Sequence, residues 1–348
     1  MKRIFTYQID QCHAGMTIHD FLRAEGYSRS LLIQLKKSPE GIRVNGEWQL
    51  CKYLLKAGDE LQTLITDESS SEQIPPTPME LAIVYEDEDI LVVNKPADTP
   101  IHPSLNNYDN SLANGVSYYF KQKGEPFVFR CINRLDRDTT GLTIIAKNAL
   151  SACILSDMVK NREISREYRC LADGLLTGSG TINAPIGRVN DSLIERKVDF
   201  ENGETAITHY TVLKNYDSYS YVSLHLETGR THQIRVHMSY LGHPLLGDFL
   251  YHPDYPLKNY SLKNDSLNDS AVNDYPIEDG FMKNDVLTAC SHGNYPQGQT
   301  HEVKPVIGRQ ALHAYRLQFH HPITKETLDF IADVPEDMKK LCNYEAIE

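Results

Sequence analysis

Apolar positions along the chain follow two periods, and the change from one to the other marks where the chain divides. Between residues 16 and 65 the helical period comes first. MTIHDFLRAEG sets Ile18, Phe21 and Leu22 on one face, and SRSLLIQLKK repeats Leu31, Leu32 and Leu35 behind Ser28, whose hydroxyl suits a helix N-cap. GIRVNGEWQL and KAGDELQTLI then read as short strands, with Asn45-Gly46 as a two-residue hairpin turn. Residues 67–79, DESSSEQIPPTPM, are Ser- and Pro-rich without a period and read as a linker.

From Glu80 the period is that of strands. IVYEDEDILVVNKP reads as strand, acidic turn, strand; GLTIIAK as a short buried strand; REYRCLAD, TAITHYTVLK and YSYVSLHLE as further strands; and ALHAYRLQFHHPITKETLDFIAD as a hairpin pair. NALSACILSDMVKN and THQIRVHMSYLG are the helices among them. Strands outnumber helices and are joined by short turns. This predicts an α+β domain on a mixed, largely antiparallel sheet with flanking helices, not a doubly wound parallel one. The expected organisation is a small module at 14–66, the linker at 67–79 and a larger domain at 80–348. Within the last, residues 251–307 are polar and without a period, and read as a surface insertion.

Composition narrows the function classes. At 348 residues and 41% hydrophobic content, the chain has enough apolar material for two domains. No apolar run reaches the length of about eighteen residues that a membrane span needs, and the start has no signal-peptide stretch, so a soluble cytoplasmic protein is expected. The seven cysteines are scattered without a CxxC pair, and the fourteen histidines show no HExxH spacing, which points away from disulfides and metals. A net charge of -12 argues against a non-specific nucleic-acid coater. The small module departs from that balance: Arg29, Lys36, Lys37 and Arg43, with Arg23, Lys52 and Lys56, are a basic cluster able to face phosphates. On charge alone an ordinary solvated helix face accounts for them equally well.

Candidate chemistry gathers in four segments. INRLDRDTTGL puts Asp136 between Arg134 and Arg137, a setting that favours an ionised carboxylate, although alone it reads more readily as an exposed ion-pair cluster. The others are Asn94-Lys95-Pro96 with Ile101-His102-Pro103, Ser165-Arg166-Glu167-Tyr168-Arg169, and LETGRTHQIRVH from Leu226 to His237.

Taken together these segments resemble the RluA-type RNA pseudouridine synthases, and DFLRAEGYSRSLLIQLKK, IRVNGE and LKAGDEL in front of them resemble the S4 RNA-binding module. The resemblance implies a uridine isomerase that breaks the C1′–N1 bond, turns the base and joins C5 to C1′ without a cofactor. It implies RNA as partner, ribosomal in preference to transfer RNA; a monomer is the default expectation. Asp136 matches the catalytic aspartate, which attacks C1′ or removes a C2′ proton. Arg230 matches the arginine that pairs with it. Tyr168 matches the tyrosine that stacks on the uracil and is a candidate for taking the C5 proton. Arg134 would enter the space left by the flipped base, or else pair with Asp136 or Asp138. Asn133, Thr140, Arg166 and Cys170 stand where histidine, serine, lysine and alanine are usual, and His313 reads as structural. An RNA-binding protein of the same fold without turnover is the alternative. A glycoside hydrolase would need a second carboxylate, and Asp138 is too close in sequence to serve.

Overall fold

A computed structural model of the chain describes residues 2–67, 71, 74–104, 107–190, 192, 194–253 and 307–342. The expected insertion at 251–307 lies outside the described residues except at its borders, where His252 and Ile307 are buried.

The N-terminal module is a four-stranded antiparallel sheet, β1 (Lys2–Gln8), β2 (Ile42–Val44), β3 (Glu47–Trp48) and β4 (Glu60–Thr66), in the order β1-β4-β2-β3. Two helices cover it, α1 (Ile18–Ala24) and α2 (Arg29–Leu35). Ser28 caps α2 by accepting from the Leu31 amide, and both apolar faces are buried as their spacing predicts. Asn45 (φ 52) and Gly46 (φ 84) make the β2–β3 turn with two left-handed residues. Strand β1 moves the module's start from residue 14 to residue 2. It runs along β4 from Lys2↔Thr66 to Gln8↔Glu60, but buries only Phe5, so its alternation is too weak to register as a strand.

The larger domain is built on a nine-stranded sheet. Its strands are β5 (Ala82–Glu86), β6 (Ile90–Lys95), β7 (Thr140–Ala146), β8 (Ser165–Asp173), β9 (Ser179–Asn183), β12 (Ile207–Asn215), β13 (Tyr219–Leu226), β14 (Leu312–His320) and β15 (Thr327–Ile331). The order is β5-β6-β7-β14-β8-β13-β12-β9, with β15 on β14. Only the β7–β14 pairing is parallel, so the sheet is mixed and largely antiparallel as expected. Gly141 (φ +112) makes the parallel pairing possible: a Cβ there would stand 2.3 Å from the Ala314 carbonyl oxygen.

Helices lie on both faces. Leu91 and Val93 of β6 join the core of α3 (Leu112–Gln122), while Ile90 and Val92 join that of α4 (Ala149–Lys160), which is the period of two at work. Helix α3 was not legible as a helix, since Asn114, Gly115 and Ser117 lie on its buried face. The linker is strapped to the larger domain: Asn114 Nδ2 of α3 donates to the Pro75 carbonyl at 2.7 Å, and Asp67 pairs with Arg130, beyond α3, at 2.6 Å. Leu150 and Ile154 of α4 enter the N-terminal core, and Arg3 reaches Asp89 with two hydrogen bonds, so the module is docked on the larger domain. A two-stranded ribbon, β10 (Ile186–Arg188) with β11 (Arg196–Val198), flanks α5 (Gln233–Tyr240), and α6 (Glu336–Cys342) closes the described chain.

Candidate active site

The segment leading into β7 is irregular in backbone and held from several sides. Asn133 is buried; its Nδ2 donates to the Leu142 carbonyl at 3.0 Å and its Oδ1 accepts from the Ile144 amide at 2.8 Å. The Thr139 amide closes a turn on the Asp136 carbonyl at 3.1 Å. Lys95, 1% exposed, donates to the carbonyls of Pro96, Thr99 and Arg137, each at 2.8 Å. Burial pulls the Lys95 ammonium down to about 7, against the pull of Asp138 and Asp136. Thr140 shares a 2.8 Å hydrogen bond with Nδ1 of His313. Nε2 of that ring must donate to the Ala332 carbonyl at 3.0 Å, so Nδ1 accepts the Thr140 hydroxyl and His313 is a structural tie, as expected.

This loop presents Asp136 to a cleft of about 700 Å³, walled by the start of β8, the end of α4 and the β13–α5 loop. The arginine that meets Asp136 is Arg235, whose Nη1 donates to Oδ2 at 3.1 Å. Arg230 does not, which corrects the pairing expected for it. Its Nε donates to the Thr205 carbonyl at 3.0 Å and its Nη1 pairs with Glu204, on the rim. The local backbone explains the difference. His232, left-handed at φ 57, starts α5, so Arg230 stays in the loop before the turn, whereas Arg235 lies on the helix's buried face at 3% exposure.

Behind Arg235 stands Asp248, fully buried. It accepts Nε and Nη2 of Arg235 at 2.7 and 2.8 Å and the amides of Leu250 and Tyr251 at 3.0 and 3.1 Å. Burial alone would lower the Arg235 pKa, but its bonds to Asp248, with the charge of Asp136 added, outweigh burial and raise it. One planar guanidinium thus spends its inner edge on a fixed carboxylate and its outer edge on the carboxylate that faces the cleft. His232 Nε2 stands 3.9 Å from Asp136 Oδ1. The Tyr251 hydroxyl accepts the Arg196 amide at 2.9 Å and shares a hydrogen bond with His232 Nδ1 at 2.8 Å, which fixes the imidazole beside Asp136. Burial lowers the His232 pKa, so at neutral pH the imidazole is uncharged.

Tyr168 lies in the cleft wall at 6% exposure. Burial raises its pKa, with Arg166 opposing and Asp136 adding, so at neutral pH it is a phenol, suited to stack on a base more than to accept a proton. Arg134 is exposed at the mouth and makes no hydrogen bond or ion pair with any described residue, which leaves it free to move; the ion-pair alternative with Asp136 or Asp138 is not what the fold forms. In the N-terminal module, Arg29, Lys36 and Lys37 are exposed, while Arg43 is half-buried and pairs with Glu40 at 3.6 Å. Arg235 lies in the LETGRTHQIRVH segment and Asp248 beyond its end, but their roles depend on helix phase and a tertiary contact that the segment does not display.

Asp87, Asp89 and His321 are close enough to suggest a metal site. Their atoms are otherwise engaged. His321 Nδ1 accepts the Ile323 and Thr324 amides, so Nε2 keeps its proton, 2.9 Å from Asp87 Oδ2 and off the ideal hydrogen-bond direction. Asp89 takes Arg3 and Asn148.

The chain is similar to several known proteins. Residues 89–240 match the family model described as RNA pseudouridylate synthase. The chain is 37% identical over 331 residues to YjbO of Bacillus subtilis, named as an uncharacterized RNA pseudouridine synthase, covering 95% of this chain and 99% of that one. It is 35% identical over 300 residues to ribosomal large subunit pseudouridine synthase D of Vibrio parahaemolyticus, covering 85% of this chain and 80% of that one. Among solved structures it resembles human RNA pseudouridylate synthase domain containing 1 with a TM-score of 0.50 at 27% identity, over 74% of this chain and 85% of that one.

Proposed function

Because the chain belongs to the RNA pseudouridylate synthase family and isomerises uridine to pseudouridine in RNA, we propose that Asp136 is its catalytic carboxylate and large-subunit ribosomal RNA its substrate. The observation that carries the site assignment is the Asp136–Arg235–Asp248 chain at the floor of the cleft. The guanidinium keeps Asp136 aimed at the cleft, ready to attack C1′ or to take a C2′ proton, while the neutral His232 adds a weaker contact on the other oxygen. Tyr168 supplies the surface on which a flipped uracil stacks, and Arg134, unpartnered at the mouth, fills the gap that the base leaves in the RNA. The name of the Vibrio relative supports ribosomal RNA.

The N-terminal module supplies RNA affinity through Arg29, Lys36 and Lys37, with Arg43 beside them. A monomer acting in the cytoplasm fits this reading, and among the described residues no helix is long and apolar enough to cross a membrane.

The test uses ribosomal and transfer RNA transcripts carrying tritium at uridine C5. Wild type releases tritium from the large-subunit transcript and Asp136→Asn does not, although it folds and binds. Turnover by Asp136→Asn would remove the catalytic assignment, and release from transfer RNA alone would remove the ribosomal one. Glu at both 36 and 37 weakens RNA binding and flattens its salt dependence; unchanged affinity would remove the module's role.

A further inference from the structure

Arg166 is a buried cation that the site as described leaves without a task. It is 7% exposed, it lines the cleft, and its Nε is buried with no acceptor. Its side chain forms no hydrogen bond or ion pair with any described residue. A guanidinium stays charged in a protein, and a buried charge without a partner is costly, so such a group persists where a ligand completes it. The chain makes room for it. A Cβ on Gly229 would stand 2.9 Å from Arg166 Nη1, so the guanidinium lies against a position in the β13–α5 loop that has no side chain.

Depth decides which part of the RNA it meets. Arg235 is already committed to Asp136 and Asp248, and the remaining arginines and lysines lining the cleft sit at its rim: Arg134 and Lys160 are exposed, and the side chains of Arg162 and Arg230 are 51% and 38% exposed. These are placed for the phosphate backbone. Arg166 instead shares a strand face with Tyr168, two residues along β8, which sets their Cα atoms about 6.6 Å apart. That is the depth of the base.

We propose that Arg166 is a catalytic residue that binds the uracil released when the C1′–N1 bond breaks. The electron pair of that bond leaves on N1 and spreads to O2 and O4, while Asp136 takes up C1′ or the C2′ proton. Arg166 donates to a carbonyl oxygen of the uracil anion and holds it over Tyr168 while it turns. C5 then bonds to C1′ as Asp136 leaves C1′ or returns the C2′ proton, N1 takes up a proton, and the C5 proton is lost to solvent. An interaction that strengthens as charge develops on the base lowers the barrier without tightening RNA binding. The proposal rests on the synthase reading, and wild-type tritium release tests that reading separately.

The experiment compares wild type, Arg166→Met, Arg166→Lys and Gly229→Ala in single-turnover reactions with saturating protein, alongside RNA Kd by filter binding. Each is run with uridine and with 5-fluorouridine at the target position, the latter followed by loss of the nucleoside after nuclease digestion. 5-Fluorouracil is the more acidic base and leaves with less help. Arg166→Met keeps Kd within about threefold and loses at least about 100-fold in rate on uridine, in the range for removing one oxyanion donor. Its deficit on 5-fluorouridine shrinks by about tenfold or more, Arg166→Lys recovers most of the rate, and Gly229→Ala, which displaces the guanidinium but keeps its charge, falls between. A Met variant within threefold of wild type in rate overturns the proposal. So does a loss confined to Kd with a shallower salt dependence, which marks a phosphate contact. Equal deficits on both bases overturn it too, because a misplaced strand would not distinguish the leaving groups.

Discussion

Replacing Asp248 by Asn tests whether Asp136 is oriented from behind. Asn keeps the shape and one oxygen, which can go on accepting Arg235 Nη2 and the Leu250 and Tyr251 amides. The other oxygen becomes an NH2 group facing Arg235 Nε, where a 2.7 Å charge-assisted bond turns into two opposed donors. That bond is worth about 1.5–3 kcal/mol, and unpairing a buried charge completely costs about 3–5 kcal/mol. Since Asp136 still partners Arg235, the loss falls at about 3 kcal/mol, or roughly 6–12 °C in Tm for a domain of this size. The freed guanidinium edge shifts toward solvent or toward Asp136, and a misplacement of about 1 Å in a reacting group costs on the order of 100-fold in rate. Differential scanning calorimetry and single-turnover tritium release measure the two effects, with RNA Kd unchanged. A variant with Tm within 2 °C and rate within twofold of wild type would mean that Asp136 holds its direction without the buried pair.

Arg235→Lys should lower the rate by about 100-fold, because an ammonium cannot bond two carboxylates in one plane, while Arg230→Ala lowers it less than tenfold; the reverse order would restore Arg230 as the partner of Asp136. Gly141→Ala should destabilise the fold by more than about 3 kcal/mol, since the methyl meets the Ala314 backbone and the φ is left-handed; soluble protein with wild-type Tm would refute the close approach. His313 is held down to about 4 by burial, below its ordinary 6.5, so its neutral form contributes stability that is present above pH 6.5 and lost as the pH falls toward 4. That amounts to about 3 kcal/mol, and the stability gap between wild type and His313→Gln should narrow by roughly that amount from pH 7 to pH 4. A gap that stays constant in urea melts at the two pH values would show that the ring does not titrate as placed.

What could be read from the chain followed how local each feature is. Ser28, the leucines of α2 and the Asn45-Gly46 turn are dictated by neighbours within a few residues, and each was legible. Strand β1 was not, because an edge strand that buries one side chain carries almost no pattern. Helix α3 was masked by polar and small residues whose partners, Pro75 and Met79, lie in the linker. In the cleft, Asp136 and Tyr168 were legible as candidates from their motifs and the fold brings both to its wall, but the choice between Arg230 and Arg235 turned on one left-handed residue, His232. Asp248 and Arg166 carry no local signature, since a buried carboxylate and an unpaired guanidinium are defined by what surrounds them in space.

Strand β14 is made late and used centrally. During synthesis β7, the Asp136 loop and β8 emerge well before residues 312–320, which lie between those two strands in the finished sheet. Until they arrive, β7 and β8 each present an unpaired edge, and the non-local closure makes this the slow stage of folding. Arg309, which bonds the Asp138 carbonyl, and His313, which bonds Thr140, come with the same stretch of chain. The N-terminal sheet, by contrast, is complete by residue 66. A growing chain therefore acquires its N-terminal surface early and the backbone ties around the Asp136 loop last, when the sheet closes.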